Sequence, residues 1–332
     1  MANPPILIDR HGRTIRYLRV SVTDRCDLRC RYCMAEKMTF LPRSELLALE
    51  EIALIAEQFI ARGVTKIRLT GGEPLVRRDA VDLIRRLGRR VGSGLDELTL
   101  TTNGTRLREY AGMLADAGVR RINVSLDSRD PETFRHITRH GDVAQVLDGI
   151  AAARGAGIAV KINMVALKDL NEGEIAPMLE WAGANGMDLT LIETMPLGRI
   201  DEDRADRFLP LTQVFDDLSR RFTLSRDSHA SGGPARYWHV AETGGRLGLI
   251  SPLTGNFCDT CNRVRLTTEG KLFTCLGHDD QVDLKAAIRG GGLPAVDAAI
   301  DAAIASKPAR HDFDVAPGAA PAVGRHMSVT GG

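Results

Sequence analysis

Six cysteines are the residues of this sequence best suited to chemistry, and they form two groups of three. The first group has the spacing CxxxCxxC, and the second has CxxC with a third cysteine further along the chain. A structural zinc site takes four protein ligands, whereas a four-iron cluster held by three thiolates keeps one iron with an open coordination position. The spacing therefore predicts two iron–sulfur clusters, each able to bind a small molecule. The groups are Cys26, Cys30 and Cys33, and Cys258, Cys261 and Cys275.

A zinc site is the alternative interpretation of the same cysteines. The CxxC pairs of the two groups could share one tetrahedral zinc ion in a binding module without catalysis. That arrangement leaves Cys26 and Cys275 without a role. Two clusters are favoured because they use all six cysteines.

Composition and charge limit the partners of this chain. Among 332 residues, 44 are Lys or Arg and 43 are Asp or Glu, so the net charge is +1 and no global field attracts nucleic acid or an anionic membrane. The segment Met1–Ile6 lacks the basic start and apolar run of a secretion signal. We therefore expect a cytoplasmic protein, in which reducing conditions keep the cysteines available as metal ligands.

The elements that must position these cysteines alternate between strand and helix patterns. This rhythm is typical of parallel βα units and predicts an α/β fold. Six units are two short of a closed barrel, so we expect a partial (βα)6 TIM-type barrel. An antiparallel sheet with one solvated face is less consistent with the long helical segments between strands. The six strands are predicted at Arg16–Thr23, Lys66–Thr70, Glu97–Thr102, Arg121–Asp127, Ala159–Ala166 and Leu189–Thr194.

Polar and apolar residues alternate along these strands, so each strand has one polar face. If helices cover the apolar face, the polar side chains line the lumen. Ordinary barrels fill that space with branched apolar residues, so this pattern predicts a wet cavity for a polar, anionic ligand. The predicted lumen residues include Arg19, Arg68, Thr101 and Lys161.

The C-terminal third of the chain has a different pattern. Arg226–Pro234 is rich in small and polar residues and is predicted to be a linker or mobile loop. Short strand patterns follow it, and two of them flank a plausible hairpin turn. We therefore predict a barrel domain over residues 1–225 with the first cluster. Residues 226–332 are predicted to form a second region with a small antiparallel sheet, the second cluster and a Gly-Gly tail.

Two motifs resemble those of radical S-adenosylmethionine (SAM) enzymes. Cys26–Met34 is similar to their CxxxCxYC signature, and Gly71–Pro74 is similar to their GGEP motif. The resemblance implies a partial barrel of the radical SAM type whose first cluster binds SAM. Glu73 could accept hydrogen bonds from the methionyl ammonium group. The SAM contacts that it implies are Tyr32, Gly72, Glu73, Ser125 and Met195.

The second cysteine group narrows the resemblance to one family. Phe257–Leu266, with Cys275 beyond it, resembles the C-terminal cluster segment of the GTP 3′,8-cyclases of molybdenum cofactor biosynthesis, and similarity extends from about Asp9 to the last residue. The family usually ends in Ile-Gly-Gly, whereas Thr330 precedes the glycines here. The implied GTP contacts are Arg19, Arg68, Thr101, Lys161, Arg263 and Arg265. The residues implied to assist catalysis are Arg263, Arg265, Gly331 and Gly332.

The resemblance also implies a lyase reaction, its cofactors and its partners. With two [4Fe-4S] clusters, SAM would yield a 5′-deoxyadenosyl radical that takes the 3′ hydrogen of GTP. The product would be (8S)-3′,8-cyclo-7,8-dihydroguanosine 5′-triphosphate, formed in the first step of molybdopterin biosynthesis. Further implied partners are an electron donor and the downstream cyclic pyranopterin monophosphate synthase, with the chain a monomer or homodimer. A peptide-modifying radical SAM maturase is the alternative, although its auxiliary region usually has more cysteines.

Overall fold

One large sheet organises the protein. The structure is a computed structural model that describes residues 6–331, so Gly332 lies outside the described residues. Within this range twelve strands pair in the order β12-β11-β10-β1-β2-β3-β4-β5-β6-β9-β8-β7. The strands are β1 Tyr17–Ser21, β2 Lys66–Thr70, β3 Glu97–Thr102, β4 Arg121–Ser125, β5 Ala159–Val165, β6 Asp188–Ile192, β7 Leu224–Asp227, β8 Arg236–Val240, β9 Arg246–Ile250, β10 Arg263–Leu266, β11 Lys271–Phe273 and β12 Gln281–Asp283.

The six strands predicted from the sequence form the centre of this sheet. Strands β1 to β6 are neighbours in chain order, and every pair among them is parallel. The predicted partial α/β barrel is confirmed, and the antiparallel alternative is excluded. The parallel register also aligns lumen residues across strands, since Arg19 lies opposite Arg68.

Helices cover the outer face of the sheet. Helix α1 shows why, because its apolar residues recur at helical spacing and Ile52, Ile55 and Phe59 are fully buried against the strands. The outer layer therefore holds the apolar core and leaves the inner face to polar residues. The helices are α1 Leu49–Ala61, α2 Ala80–Gly88, α3 Leu107–Asp116, α4 Pro131–Thr138, α5 Val143–Gly155, α6 Ile175–Ala184, α7 Leu211–Ser219, α8 Leu284–Ala305 and α9 Met327–Thr330.

The C-terminal strands extend this sheet at both edges. We expected them to form a small sheet of their own, but β10 pairs in parallel with β1, and β9 pairs in parallel with β6. Antiparallel hairpins then continue outward from each of them. The physical reason is that β1 and β6 would otherwise present unpaired edges. Strands on both sides of residue 225 thus share one sheet. The domain boundary between residues 225 and 226 stays a prediction.

None of the helices within residues 6–331 is both long and apolar enough to span a bilayer.

Two helical glycines should respond oppositely to the same substitution. A Cβ on Gly149 of α5 would lie 2.5 Å from the carbonyl oxygen of Gly104, whereas a Cβ on Gly112 of α3 would meet nothing within 4 Å. We expect Gly112→Ala to stabilise the fold by about 0.5–1 kcal/mol through helix propensity. Gly149→Ala should destabilise it by about 1–3 kcal/mol through overpacking.

Thermal unfolding of both variants under the same conditions checks this pair. Each protein serves as the control for the other, because the chemical change is identical. Two shifts of the same sign would contradict the close contact between α5 and the Gly104 carbonyl.

Candidate active site

Both cysteine groups line one cavity in the lumen of the barrel. The first group follows the C-terminal end of β1. The second lies at the other end, because Arg263 is paired with Tyr17 at the start of β1, and Cys261 is two residues before it. The five residues of β1 span about 16 Å. The cavity therefore has a cysteine trio at each end of a strand, with polar lumen residues between them.

A tight loop shapes the first trio, Cys26, Cys30 and Cys33. The Cys33 amide donates to the Cys30 carbonyl at 2.9 Å, and the Leu28 amide donates to Cys26 Sγ at 3.4 Å. All three thiols are free. Burial raises the pKa of Cys33 to about 11 and also raises the pKa values of Cys26 and Cys30. These sulfurs need a bound cationic centre in order to be thiolates near neutral pH.

The second trio has a different electrostatic setting. Burial tends to raise the pKa of Cys261, but Arg263 and Lys307 outweigh it and lower that pKa to about 7. The Arg263 guanidinium lies 3.8 Å from Cys261 Sγ. Burial raises the pKa of Cys275. One member of this trio is thus prepared as a thiolate by neighbouring cations.

The arrangement of the thiols distinguishes between a cluster and a single ion. Within residues 6–331, no three or more His, Cys, Asp and Glu side chains converge on a position suited to one metal ion. A single zinc ion shared between the two CxxC pairs is not supported, because the pairs lie at opposite ends of β1. The three cysteines of each trio instead form part of the cavity wall. Three soft sulfur donors fit a [4Fe-4S] cluster with one open iron.

The lumen between the trios is cationic. Five cationic side chains line it. Arg265 is partly buried, and the other four are buried: Arg19, Arg68, Lys161 and Arg263. Among the lining residues that the structure describes, Glu193 is the one carboxylate, and it already accepts the Leu211 and Leu253 amides. Buried positive charge at this density favours a multiply charged anion. All six predicted GTP contacts line the cavity: Arg19, Arg68, Thr101, Lys161, Arg263 and Arg265.

Crowding of these cations changes their pKa values. Burial lowers the pKa of Arg19 to about 10, and Arg68 and Arg263 act in the same direction. Burial also lowers the pKa of Lys161, whose ammonium donates to the Tyr237 hydroxyl at 3.2 Å. A bound anion would relieve both the desolvation and the repulsion.

Four of the five predicted SAM contacts also line the cavity. These are Tyr32, Gly72, Ser125 and Met195. The hydroxyl of Tyr32 donates to Asp127 at 2.8 Å, which fixes the ring beside the first trio. Gly72 must be glycine, because a Cβ there would lie 2.2 Å from the Arg25 carbonyl oxygen. The GGEP turn thus brings backbone directly against the cysteine loop.

Glu73 lies behind the cavity wall. It is fully buried, and its carboxylate accepts the Leu75 amide at 3.0 Å, the Asn103 amide at 2.7 Å and the Thr102 hydroxyl at 2.9 Å. Its contact with the SAM ammonium stays a prediction. In this structure Glu73 holds Thr102 and Asn103, which do line the cavity.

The C-terminal tail returns to the site. Met327 and Ser328 line the cavity, and Arg265 donates to the Gly331 carbonyl at 2.7 Å. Gly331 adopts φ +78°, and a Cβ there would lie 2.0 Å from the Thr70 methyl group. A glycine is therefore required for the tail to approach the lumen this closely. The predicted role of Gly332 falls outside the described residues.

Sequence reasoning missed several residues of the wall. Asn103 also donates to Asp27 and lies 3.7 Å from Cys26 Sγ, a role that its position after Thr101 and Thr102 could have indicated. The predicted linker forms another part of the wall through Ser231, Gly233 and Pro234. No periodic pattern marks that loop, so its position depends on tertiary contacts alone.

Glu73 also makes stability depend on pH. Burial raises its pKa from 4.5 to about 7. The folded state therefore binds a proton that the unfolded state releases between these values, and the resulting stabilisation is lost as pH rises toward 7. We expect the stability of wild type relative to Glu73→Gln to fall by at most about 1.4 kcal/mol per pH unit across this window.

Urea unfolding of both cluster-free proteins from pH 5 to pH 8 measures this difference. Asp127, whose pKa burial raises to about 6, is present in both chains, so its contribution cancels. A difference in unfolding free energy that stays flat with pH would contradict the burial of Glu73.

Comparison with known proteins agrees with this geometry. Residues 20–182 match the radical SAM superfamily profile, and residues 187–313 match Molybdenum Cofactor Synthesis C. A GTP 3′,8-cyclase of Erythrobacter litoralis is 60% identical over 98% of this chain and 98% of its own. That of Caulobacter vibrioides is 61% identical over 99% of this chain and 94% of its own.

Solved structures support the fold. Streptococcus suis SuiB bound to S-adenosylmethionine superimposes with a TM-score of 0.59 at 16% identity, over 88% of this chain and 65% of the SuiB chain. Native anSMEcpe with bound AdoMet gives a TM-score of 0.57 at 16% identity, over 84% of this chain and 79% of that one. The sequence relatives and the two profiles show that the chain belongs to the radical SAM superfamily and, within it, to the GTP 3′,8-cyclase family.

Proposed function

We propose that this chain converts GTP to (8S)-3′,8-cyclo-7,8-dihydroguanosine 5′-triphosphate. The observation that supports this most strongly is the cationic lumen between two cysteine trios. A triphosphate is the kind of anion that such a lumen favours. The sequence relatives bear the name of the same activity at about 60% identity.

The cofactors are two [4Fe-4S] clusters and S-adenosylmethionine, which when bound supply the 5′-deoxyadenosyl radical chemistry. Cys26, Cys30 and Cys33 would hold the first cluster. Tyr32, already fixed by Asp127, and the backbone at Gly72 would orient SAM beside it. The second trio would hold the other cluster at the opposite end of the lumen.

The lumen residues would position GTP between these two sites. Arg19 and Arg68 lie opposite each other on β1 and β2, and Lys161 on β5 lines the same cavity. These three side chains would bind the phosphates. This anchoring fixes the distance between the ribose and the SAM site, which reduces the entropic cost of reaction. The apolar outer layer and the paired sheet close the wall of the lumen against bulk water.

Arg263 would act at the second end of the lumen, and Arg265 would act beside Arg19 in its middle. Arg263 lies beside Cys261, and Arg265 holds the Gly331 carbonyl. Their planar guanidinium groups are suited to a phosphate or to a purine oxygen. We propose that they orient the guanosine, with the Gly331 tail forming the adjacent wall.

The proposal also includes the setting of the reaction. We propose a cytoplasmic enzyme that takes electrons from a separate donor and passes its product to cyclic pyranopterin monophosphate synthase. The near-neutral net charge and the six free cysteines support the cytoplasmic location.

Product analysis tests the function directly. We expect anaerobically reconstituted protein with SAM, reductant and GTP to give 5′-deoxyadenosine and a nucleotide of the same mass as GTP but different chromatographic retention. SAM cleavage should depend on GTP, because the lumen is complete only when its anion is bound. SAM cleavage that instead required a peptide would favour the maturase alternative.

The two trios should differ in their effects on the reaction. We expect Cys258→Ser to spare SAM cleavage more than it spares cyclisation, because the second trio lies at the far end of β1 from the SAM site. Cys30→Ser is the matched control and should abolish both. The rates of 5′-deoxyadenosine and cyclised product formation measure the separation. Equal loss of both in Cys258→Ser would argue against distinct roles for the two trios.

A further inference from the structure

The second trio is surrounded by cations that come from three distant parts of the chain. They are held in place by main-chain carbonyls as well as by the trio itself. Arg13 donates to the Cys258 carbonyl at 2.8 Å, Lys307 donates to Cys261 Sγ at 3.6 Å, and Arg325 donates to the Cys275 carbonyl at 3.4 Å.

Lys307 differs from the two arginines because its ammonium reaches a sulfur. The residue is 1% exposed, although lysine is among the residue types least often buried. Its ammonium also donates to the Arg263 carbonyl at 3.1 Å and to the Thr274 carbonyl. Within residues 6–331 no carboxylate lies within ion-pair distance of it. Its ammonium is therefore shared between two main-chain carbonyls and Cys261 Sγ.

The surroundings of the first trio include carboxyl groups as well as a cation. Cys26 Sγ accepts from two neutral donors, the Leu28 amide and the Asn103 side chain. Negative charge from Glu73 acts on Cys26, and that from Asp127 acts on Cys30 and Cys33. Arg204 opposes this at Cys33. Carboxyl groups thus lie near the thiols at one end of the cavity, whereas cations surround the thiols at the other end.

We propose that Lys307 is a positioning residue that raises the reduction potential of the cluster held by the second trio, acting through an N–H···S hydrogen bond to Cys261. The inference rests on the proposed function, since it assumes a cluster at that trio. Reduction adds negative charge to a cluster, and a fixed cation with a hydrogen bond to a ligand sulfur stabilises the reduced form. The two clusters of one lumen are therefore set at different potentials.

The test is a redox titration of the reconstituted full-length chain, followed by electron paramagnetic resonance. Added SAM changes the signal of the first cluster and so distinguishes the two. In Lys307→Met, which keeps length and removes charge, we expect the potential of the second cluster to become more negative while that of the first stays constant. Lys271→Met is the control, since Lys271 is partly exposed and paired with Asp283. An unchanged second potential in Lys307→Met would overturn the proposal.

A second measurement does not depend on the variant retaining its cluster. Wild-type protein labelled with ¹⁵N at lysine side chains should show a ¹⁵N hyperfine coupling to the reduced second cluster, and absence of that coupling would overturn the proposal. Neither experiment uses GTP. Normal clusters without cyclised product would overturn the proposed function alone, whereas a wild-type protein that forms no second cluster would overturn both.

Discussion

Mutual repulsion among buried cations is the constraint on which this structure depends. Five Arg and Lys side chains line one lumen, and Glu193 is the one lining carboxylate among the described residues. Like charges at low dielectric are costly, so the fold must hold them apart and in place by other means. The apolar layer between sheet and helices supplies that stability, and the parallel register fixes Arg19 between Arg68 and Arg265 on the neighbouring strands.

Strand β1 connects the parts of the site. Its C-terminal end leads into the first trio, its lumen face includes Arg19, and its outer edge pairs with β10, which follows the second trio. The tail helix α9 also packs on β1, and Gly331 contacts Thr70 of the adjacent strand. Strand β1, one short and fully buried segment, thus sets the relative positions of both thiol groups, the substrate cations and the tail.

The sequence predicted the central barrel and most of its lumen, because period-two alternation records which face of a strand is polar. Arg68 and Lys161 were placed correctly by that rule alone. Pairing of β10 with β1 was not predicted, since it joins residues far apart in the chain and leaves no local pattern. Glu73 was expected in the cavity, but its carboxylate lies behind the cavity wall and accepts the Asn103 amide. That contact joins two separate segments of the chain, so no local pattern indicates it.

The pairing of β1 with β10 has a consequence for synthesis on the ribosome. Tyr17–Ser21 emerges early, whereas Arg263–Leu266 emerges only after most of the chain has been translated. During that interval the nascent barrel presents an open strand edge, which is a hazard for association with other chains. The edge of β1 is therefore covered only late in translation, when β10 has left the ribosome.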